Sequence, residues 1–124
     1  MLRIPARKGQ VWLVPDRHLQ LPPDVKRKQV HESRPFLILS GDATNQDSEF
    51  PIVLGCPIST SARFATEFCV KLGASEANLP KKSWVRVVAI QPLDVTHLGE
   101  LSGSLASERV AEVEAALFQY MGIL

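Results

Sequence analysis

The chain has 124 residues, 45% of them hydrophobic and 22% charged, with a net charge of +1. That length supports one compact core and excludes two ordinary domains, and the apolar fraction excludes a disordered chain, so a single domain over residues 1–124 is expected. No run approaches the ~18 apolar residues that cross a bilayer, and the basic residues 1–8 have no apolar signal core behind them. The expected compartment is the cytoplasm, with no membrane partner.

The small net charge hides an asymmetry. Residues 1–34 carry eight Lys/Arg against three Asp/Glu, and the remainder carries six against ten. A basic N-terminal third fits a local site for polyanions, and equally a solvated lysine-bearing loop. The two cysteines, Cys56 and Cys69, match no zinc or thioredoxin spacing and read as reduced thiols on strands.

In chain order, the first element is a β-type run over residues 9–14, rich in branched and aromatic residues and stopped by Pro15. A long polar stretch over about residues 15–33 follows, holding Pro22-Pro23 and the triplet Lys26-Arg27-Lys28. Loops beyond ~12–15 residues are commonly functional. Residues 35–39 form the next strand, closed by turn-type residues around Gly41 and Asn45. A third strand covers residues 52–58, where Gly55 and Pro57 predict a bulge or an edge. Residues 63–72 alternate, with Phe64, Thr66, Phe68 and Val70 on one face, and predict a half-buried antiparallel strand. Residues 84–90 predict a strand buried on both faces, and 93–98 another. At the end, Val110, Val113, Leu117 and Tyr120 recur at helical spacing. The spacing predicts a helix over residues 107–121 with this stripe on the barrel, Ser104 or Ser107 as its cap and Gly122 at its end. The expected fold is therefore mostly β: a small barrel of five to seven antiparallel strands with a C-terminal amphipathic helix.

Few residues suit chemistry. His18, His31 and His97 are scattered and build no metal-ligand pattern, so no metal or cofactor is expected. There is no G-x-S-x-G elbow and no glycine-rich phosphate loop. Two positions stand out at strand ends beside loops: Arg34, directly before Pro35, and Ser59, two residues after Pro57. An arginine fork fits a phosphate and the added charge of a pentacoordinate transition state, and a serine hydroxyl can donate to a phosphate oxygen. Taken alone, the pair reads equally as a strand-edge charge and a turn residue.

The order of short motifs adds to this. Lys8-Gly9-Gln10-Val11-Trp12, Arg34-Pro35-Phe36-Leu37-Ile38-Leu39-Ser40, Pro57-Ile58-Ser59-Thr60 and Gln91-Pro92, followed by a C-terminal helix, together resemble the MazF/PemK toxins, from about Gly9 to Leu124. The resemblance implies an SH3-like barrel, a two-fold homodimer, metal-free cleavage of single-stranded RNA, and neutralisation by a cognate antitoxin. It implies catalytic roles for Arg34 and Ser59, with Lys26, Arg27, Lys28, Thr60 and Arg86 as RNA contacts. Ile90 departs from the pattern, standing before Gln91 where many members carry an acid; Arg86, four residues earlier on the same strand face by parity, could supply another polar group. Two alternatives remain. One is a gyrase-binding toxin resembling CcdB, suggested by the tail Tyr120-Met121-Gly122-Ile123-Leu124; the other is a catalytically silent SH3-like binding module, suggested by Ile90.

Overall fold

A computed structural model describes residues 5–21, 32–62 and 65–124. Its elements are β1 (Gln10–Pro15), β2 (Ser33–Ile38), a one-turn helix α1 (Asp42–Asn45), β3 (Ile52–Ser59), β4 (Val70–Leu72), β5 (Ser83–Val85), β6 (Gln91–Asp94), β7 (Leu101–Ser104) and α2 (Ser107–Met121). The strands form one seven-stranded sheet, ordered β4-β5-β3-β2-β1-β7 with β6 also on β3. Every ladder is antiparallel, and the sheet curls into a half-barrel with the C-terminal helix packed on it.

The period-two alternation of the strands builds two cores, one on each face of the sheet. Val11, Leu37, Cys56, Ile58, Val70 and Val85 point to the face covered by α2, through Val110 and Val113. Trp12, Val14, Phe36, Ile38, Val53 and Leu93 point to the other face, where Ala6, Leu19 and Val95 close over them.

Strand β3 has partners on both edges. Along one it pairs with β2; along the other its first half, Ile52 to Gly55, pairs with β6 and its end, Ile58 and Ser59, with β5. The strand is therefore central, which corrects the edge expected at Gly55 and Pro57. Pro57 stands where the partner changes from β6 to β5, so a missing N–H interrupts little ladder there. Gly55 has a different reason: a Cβ would lie 2.0 Å from the Leu37 carbonyl oxygen and 2.7 Å from the Phe36 ring.

Other strand expectations are shortened. Of residues 63–72 only Val70–Leu72 is strand; residues 63 and 64 lie outside the described residues. Thr66 draws the preceding segment into a turn, its carbonyl accepting from the Cys69 N–H and its hydroxyl from the Phe68 N–H. Those donors are then lost to any ladder. The run over 84–90 ends as a strand at Val85 and turns through a short 3-10 segment, Val87–Ala89. The run over 93–98 ends at Asp94, whose side chain accepts from the Thr96 N–H and starts another such turn, Val95–His97. Strand β7, Leu-Ser-Gly-Ser, has too weak an apolar pattern to be found from sequence; it is placed by its ladder to β1 and by Gly103, where a Cβ would meet the Ala77 backbone at 2.8 Å.

Helix α2 falls on the predicted residues, with Val110 and Val113 buried and Leu117 packed on the same core. Its N-cap is Ala106 without a side-chain cap, which corrects the two serines proposed for that role. Gly122 ends it in the left-handed region at φ 79°, its N–H donating to the Gln119 carbonyl. Arg109 clamps the helix to the turn Glu76–Asn78: its Nε and Nη2 each donate to the Glu76 carboxylate at 2.9 Å, and Nη1 donates to Glu112 at 2.7 Å.

Two outcomes follow. Gly55→Ala should destabilise the chain by about 3 kcal/mol or more in urea unfolding, since backbone and a core ring must shift. Gly41→Ala, with nothing within 4 Å of its Cβ, should stay within ~0.5 kcal/mol. The Arg109 guanidinium holds the Glu76 carboxyl below its ordinary range. A carboxylate depressed in the fold stabilises above its unfolded pKa and loses that contribution as pH falls through its folded value. Glu76→Gln should therefore flatten the acid limb of the thermal melting profile.

Candidate functional site

Strands β2 and β3 remain paired only as far as Phe36 opposite Pro57. Beyond that point β2 continues against β1, with Arg34 opposite Val14, while β3 turns to β5, with Ser59 opposite Trp84. The two chain segments part and leave a cleft of about 250 Å³, lined by Ser33, Arg34, Pro35, Ile58, Thr60 and Lys81.

Arg34 is not the loosely held strand-end charge that its position suggests. It is 7% exposed, and its Nε donates to Oδ1 of Asp16 at 3.0 Å, a carboxylate that is itself fully buried. Asp16 reaches that place because β1 ends at Pro15 and the 3-10 turn Asp16–His18 folds the chain back, with the Leu19 N–H donating to the Asp16 carbonyl. Gln91 fixes the following residues, its Nε2 donating to the Gln20 carbonyl and its Oε1 accepting from the Gln20 N–H. With Nε engaged, the Nη1/Nη2 edge makes no hydrogen bond among the described residues and remains for a ligand in the cleft.

Continuing the β2–β3 register two residues past Phe36 and Pro57 brings Arg34 abreast of Ser59. Ser59 is 5% exposed, and its Oγ accepts from the Ser61 N–H at 3.1 Å, so the hydroxyl keeps its own proton to donate. Thr60 is exposed on the cleft wall. Arg34, Ser59 and Thr60 are thus brought together from two strand ends. Lys81 joins them and was missed in the sequence, although the pair Lys81-Lys82 before a strand was a legible sign.

The remaining positions fare differently. Arg86 is 3% exposed, with its N–H donating to the Pro57 carbonyl. The 3-10 turn that follows breaks the strand parity expected to relate it to Ile90, and Ile90 packs against the helix-side core. Lys26, Arg27, Lys28 and His31 lie outside the described residues. His18 and His97, scattered in sequence, stack with ring centroids 3.6 Å apart and planes 4° apart. Desolvation, then His97, then Arg17 lower the His18 pKa. Among the described residues no three His, Cys, Asp or Glu side chains gather as a metal site. Burial pushes the Cys56 thiol up to about 12, as suits an inert core cysteine. The tail has a packing reason: the Tyr120 ring lies 5.3 Å from Phe68, and Gly122 closes the helix.

A guanidinium anchored on one side, two adjacent hydroxyls and an ammonium around one cleft suit a phosphodiester. Residues 7–121 match the family model described as PemK-like, MazF-like toxin of type II toxin–antitoxin systems. No curated protein matches the chain. Among solved structures, MazE–MazF from Deinococcus radiodurans is 22% identical with a TM-score of 0.71, over 98% of this chain and all of the other. An endoribonuclease in complex with its cognate antitoxin, from a mycobacterial species, is 21% identical with a TM-score of 0.67, over 96% and 95% of the two chains. The Mycobacterium tuberculosis toxin MazF-mt6 is 20% identical with a TM-score of 0.70, over 93% and 98%. At these identities the likeness concerns the fold.

The buried pair Arg34–Asp16 makes a stability prediction opposite to the one its strand-end position implies. Removing either partner leaves the other charge buried, so Arg34→Ala and Asp16→Ala should each cost about 3 kcal/mol in urea unfolding. The double variant should cost clearly less than the sum of the two, because the interaction can be lost only once.

Proposed function

The chain belongs to the PemK-like, MazF-like toxins of type II toxin–antitoxin systems, and on that basis we propose that it is an endoribonuclease that cuts single-stranded RNA without a metal or other cofactor. The observation that carries this reading is Arg34, held at Nε by buried Asp16 with its Nη edge on the cleft beside Ser59 and Thr60. A ribose 2′-hydroxyl attacks the adjacent phosphorus; the O2′–P bond forms, the P–O5′ bond breaks, and a cyclic phosphate and a 5′-hydroxyl result. Arg34 stabilises the charge that gathers on the phosphorane, and Ser59 donates a hydrogen bond to one of its oxygens. Thr60 and Lys81 line the approach, and the triplet Lys26-Arg27-Lys28 adds positive charge in sequence. Family membership and the ordinary packing of the tail favour this over gyrase binding, and the anchored arginine favours it over a silent binding module.

The partner expected to restrain the activity is an antitoxin with an acidic segment, disordered when free, lying over the cleft and competing with RNA. Neighbours bound to antitoxins support this. A two-fold homodimer is supported by apolar side chains left exposed, in the row Phe50, Ile52 and Leu54 and around Phe118, Met121 and Ile123. No described helix is long and apolar enough to cross a membrane, and an RNA substrate fits action in the cytoplasm.

Single-turnover cleavage of uridine-containing RNA in EDTA tests the reaction. Arg34→Lys keeps a charge for Asp16 but loses the planar fork, and should remove most of the activity in a chain that still melts cooperatively. Ser59→Ala should cost on the order of 10²-fold, the scale of one lost transition-state donor, and Ser59→Thr should be tolerated. Cutting of a substrate with 2′-deoxyribose at the cleavage position, or wild-type rates from Arg34→Lys, would refute the mechanism. For the assembly, sedimentation should give twice the chain mass, and an antitoxin peptide should displace labelled RNA.

A further inference from the structure

Past the cleft, a line of side chains crosses the sheet on a single face. Ser59 of β3 is directly opposite Trp84 of β5, and Trp84 is directly opposite Lys71 of β4. Directly opposed residues share a face, and strands lie 4.7–4.9 Å apart, so the line runs about 10 Å outward from Ser59. Exposure rises along it, from buried Ser59 through half-buried Trp84 to exposed Lys71.

The opposite face of the same three strands is occupied by Ile58, Val85 and Val70, at 1%, 0% and 5% exposure in the helix-side core. The core need of this corner is met there, and Trp84 belongs to neither core cluster. The tryptophan is thus a large half-exposed ring beside a lysine, next to a hydroxyl assigned to the reacting phosphate. Neither β4 (Val-Lys-Leu) nor β5 (Ser-Trp-Val) carries an acidic residue, and Lys81 and Lys82 are exposed just before β5.

We propose that this line is the path of the RNA strand next to the cleavage point, with a base stacked on Trp84 and the following phosphate held by Lys71. The proposal rests on the endoribonuclease reading of the cleft, which supplies the end from which the path starts. Aromatic stacking tolerates any base, because every base has a π-face, while a neighbouring cation neutralises the backbone. A protein segment would be matched by a wider apolar surface than one ring between a serine and a lysine, so single-stranded RNA is the occupant that the charge and chemistry fit.

The test uses the full chain and a random-sequence pool of 2′-O-methyl RNA, which binds without being cut. Trp12 is 8% exposed with its Nε1–H donating to Gln10, so a change in tryptophan emission on binding reports Trp84. Wild type should be quenched by the pool, and Trp84→Phe should bind with the quench abolished. Trp84→Ala should bind about tenfold or more weakly, the scale of one lost base stack. Lys71→Ala should lower the slope of log K against log salt by about 0.7, one phosphate contact on a single strand. If Trp84→Ala does not fold, the quench in Trp84→Phe and the slope in Lys71→Ala decide. Unchanged affinity in folded Trp84→Ala, while Arg34→Lys still abolishes cleavage, overturns the RNA path and leaves the endoribonuclease reading standing. Loss of self-association or antitoxin binding with RNA affinity intact assigns the line to a protein interface and also overturns it. A wild-type chain that neither binds the pool nor cuts RNA overturns both.

Discussion

At Gly55 the Leu37 carbonyl and the Phe36 ring occupy the space that any side chain would need. That close approach seats β3 against β2 while the same residue pairs with Gln91 of β6 on its other edge. Two residues further on, β3 gives up β6 for β5. A strand that changes partner along one edge cannot stay in a flat sheet, so the sheet curls and offers both of its faces for covering. The helix closes one core and the segment around Leu19 the other. The cleft is a consequence of the same divergence, because it opens where β3 follows β5 and β2 stays with β1.

The arginine in that cleft is bound into the fold by a buried carboxylate. Such a pair gains little net stability against well-packed apolar residues, yet breaking it is costly, because desolvated charge is left behind. Its value is positional: Asp16 fixes one edge of the guanidinium and leaves the other for ligand, so little ordering is needed when a phosphate arrives. The turn that carries Asp16 is held in turn by the side-chain amide of Gln91 on the Gln20 backbone. Stability and site geometry therefore share residues, and the chain cannot exchange Arg34 or Asp16 as if they were surface charges.

Identities of 20–22% with chains of TM-score near 0.7 have a physical reading in the same terms. What a curled sheet with a helix on one face demands is alternation of apolar positions, a few close backbone approaches and a helix stop. Many sequences meet those demands. Ile90 illustrates the freedom this leaves: where many relatives carry an acid, this chain packs an aliphatic side chain on the helix-side core. The anchoring of Arg34 does not depend on that position.

The amino-acid sequence by itself determined the elements whose pattern is long and periodic. Helix α2 follows from Val110, Val113 and Leu117 at helical spacing and from Gly122 at its end, and β1 and β2 follow from their branched and aromatic runs. The family was legible because its short motifs stand in a fixed order along the chain. Short strands were not, since three alternating residues at 70–72 look the same within a ten-residue run as within a turn, and β7 has almost no apolar signal. Arg34, Ser59 and Thr60 were legible as residues at strand ends; their relation was not. The burial of Arg34 on Asp16, the stacking of His18 on His97, the place of Lys81 on the cleft and the line from Ser59 through Trp84 to Lys71 all join residues distant in sequence. Such contacts depend on strand register and on where a sheet curls, and those are settled by packing across the whole chain, which no local pattern encodes.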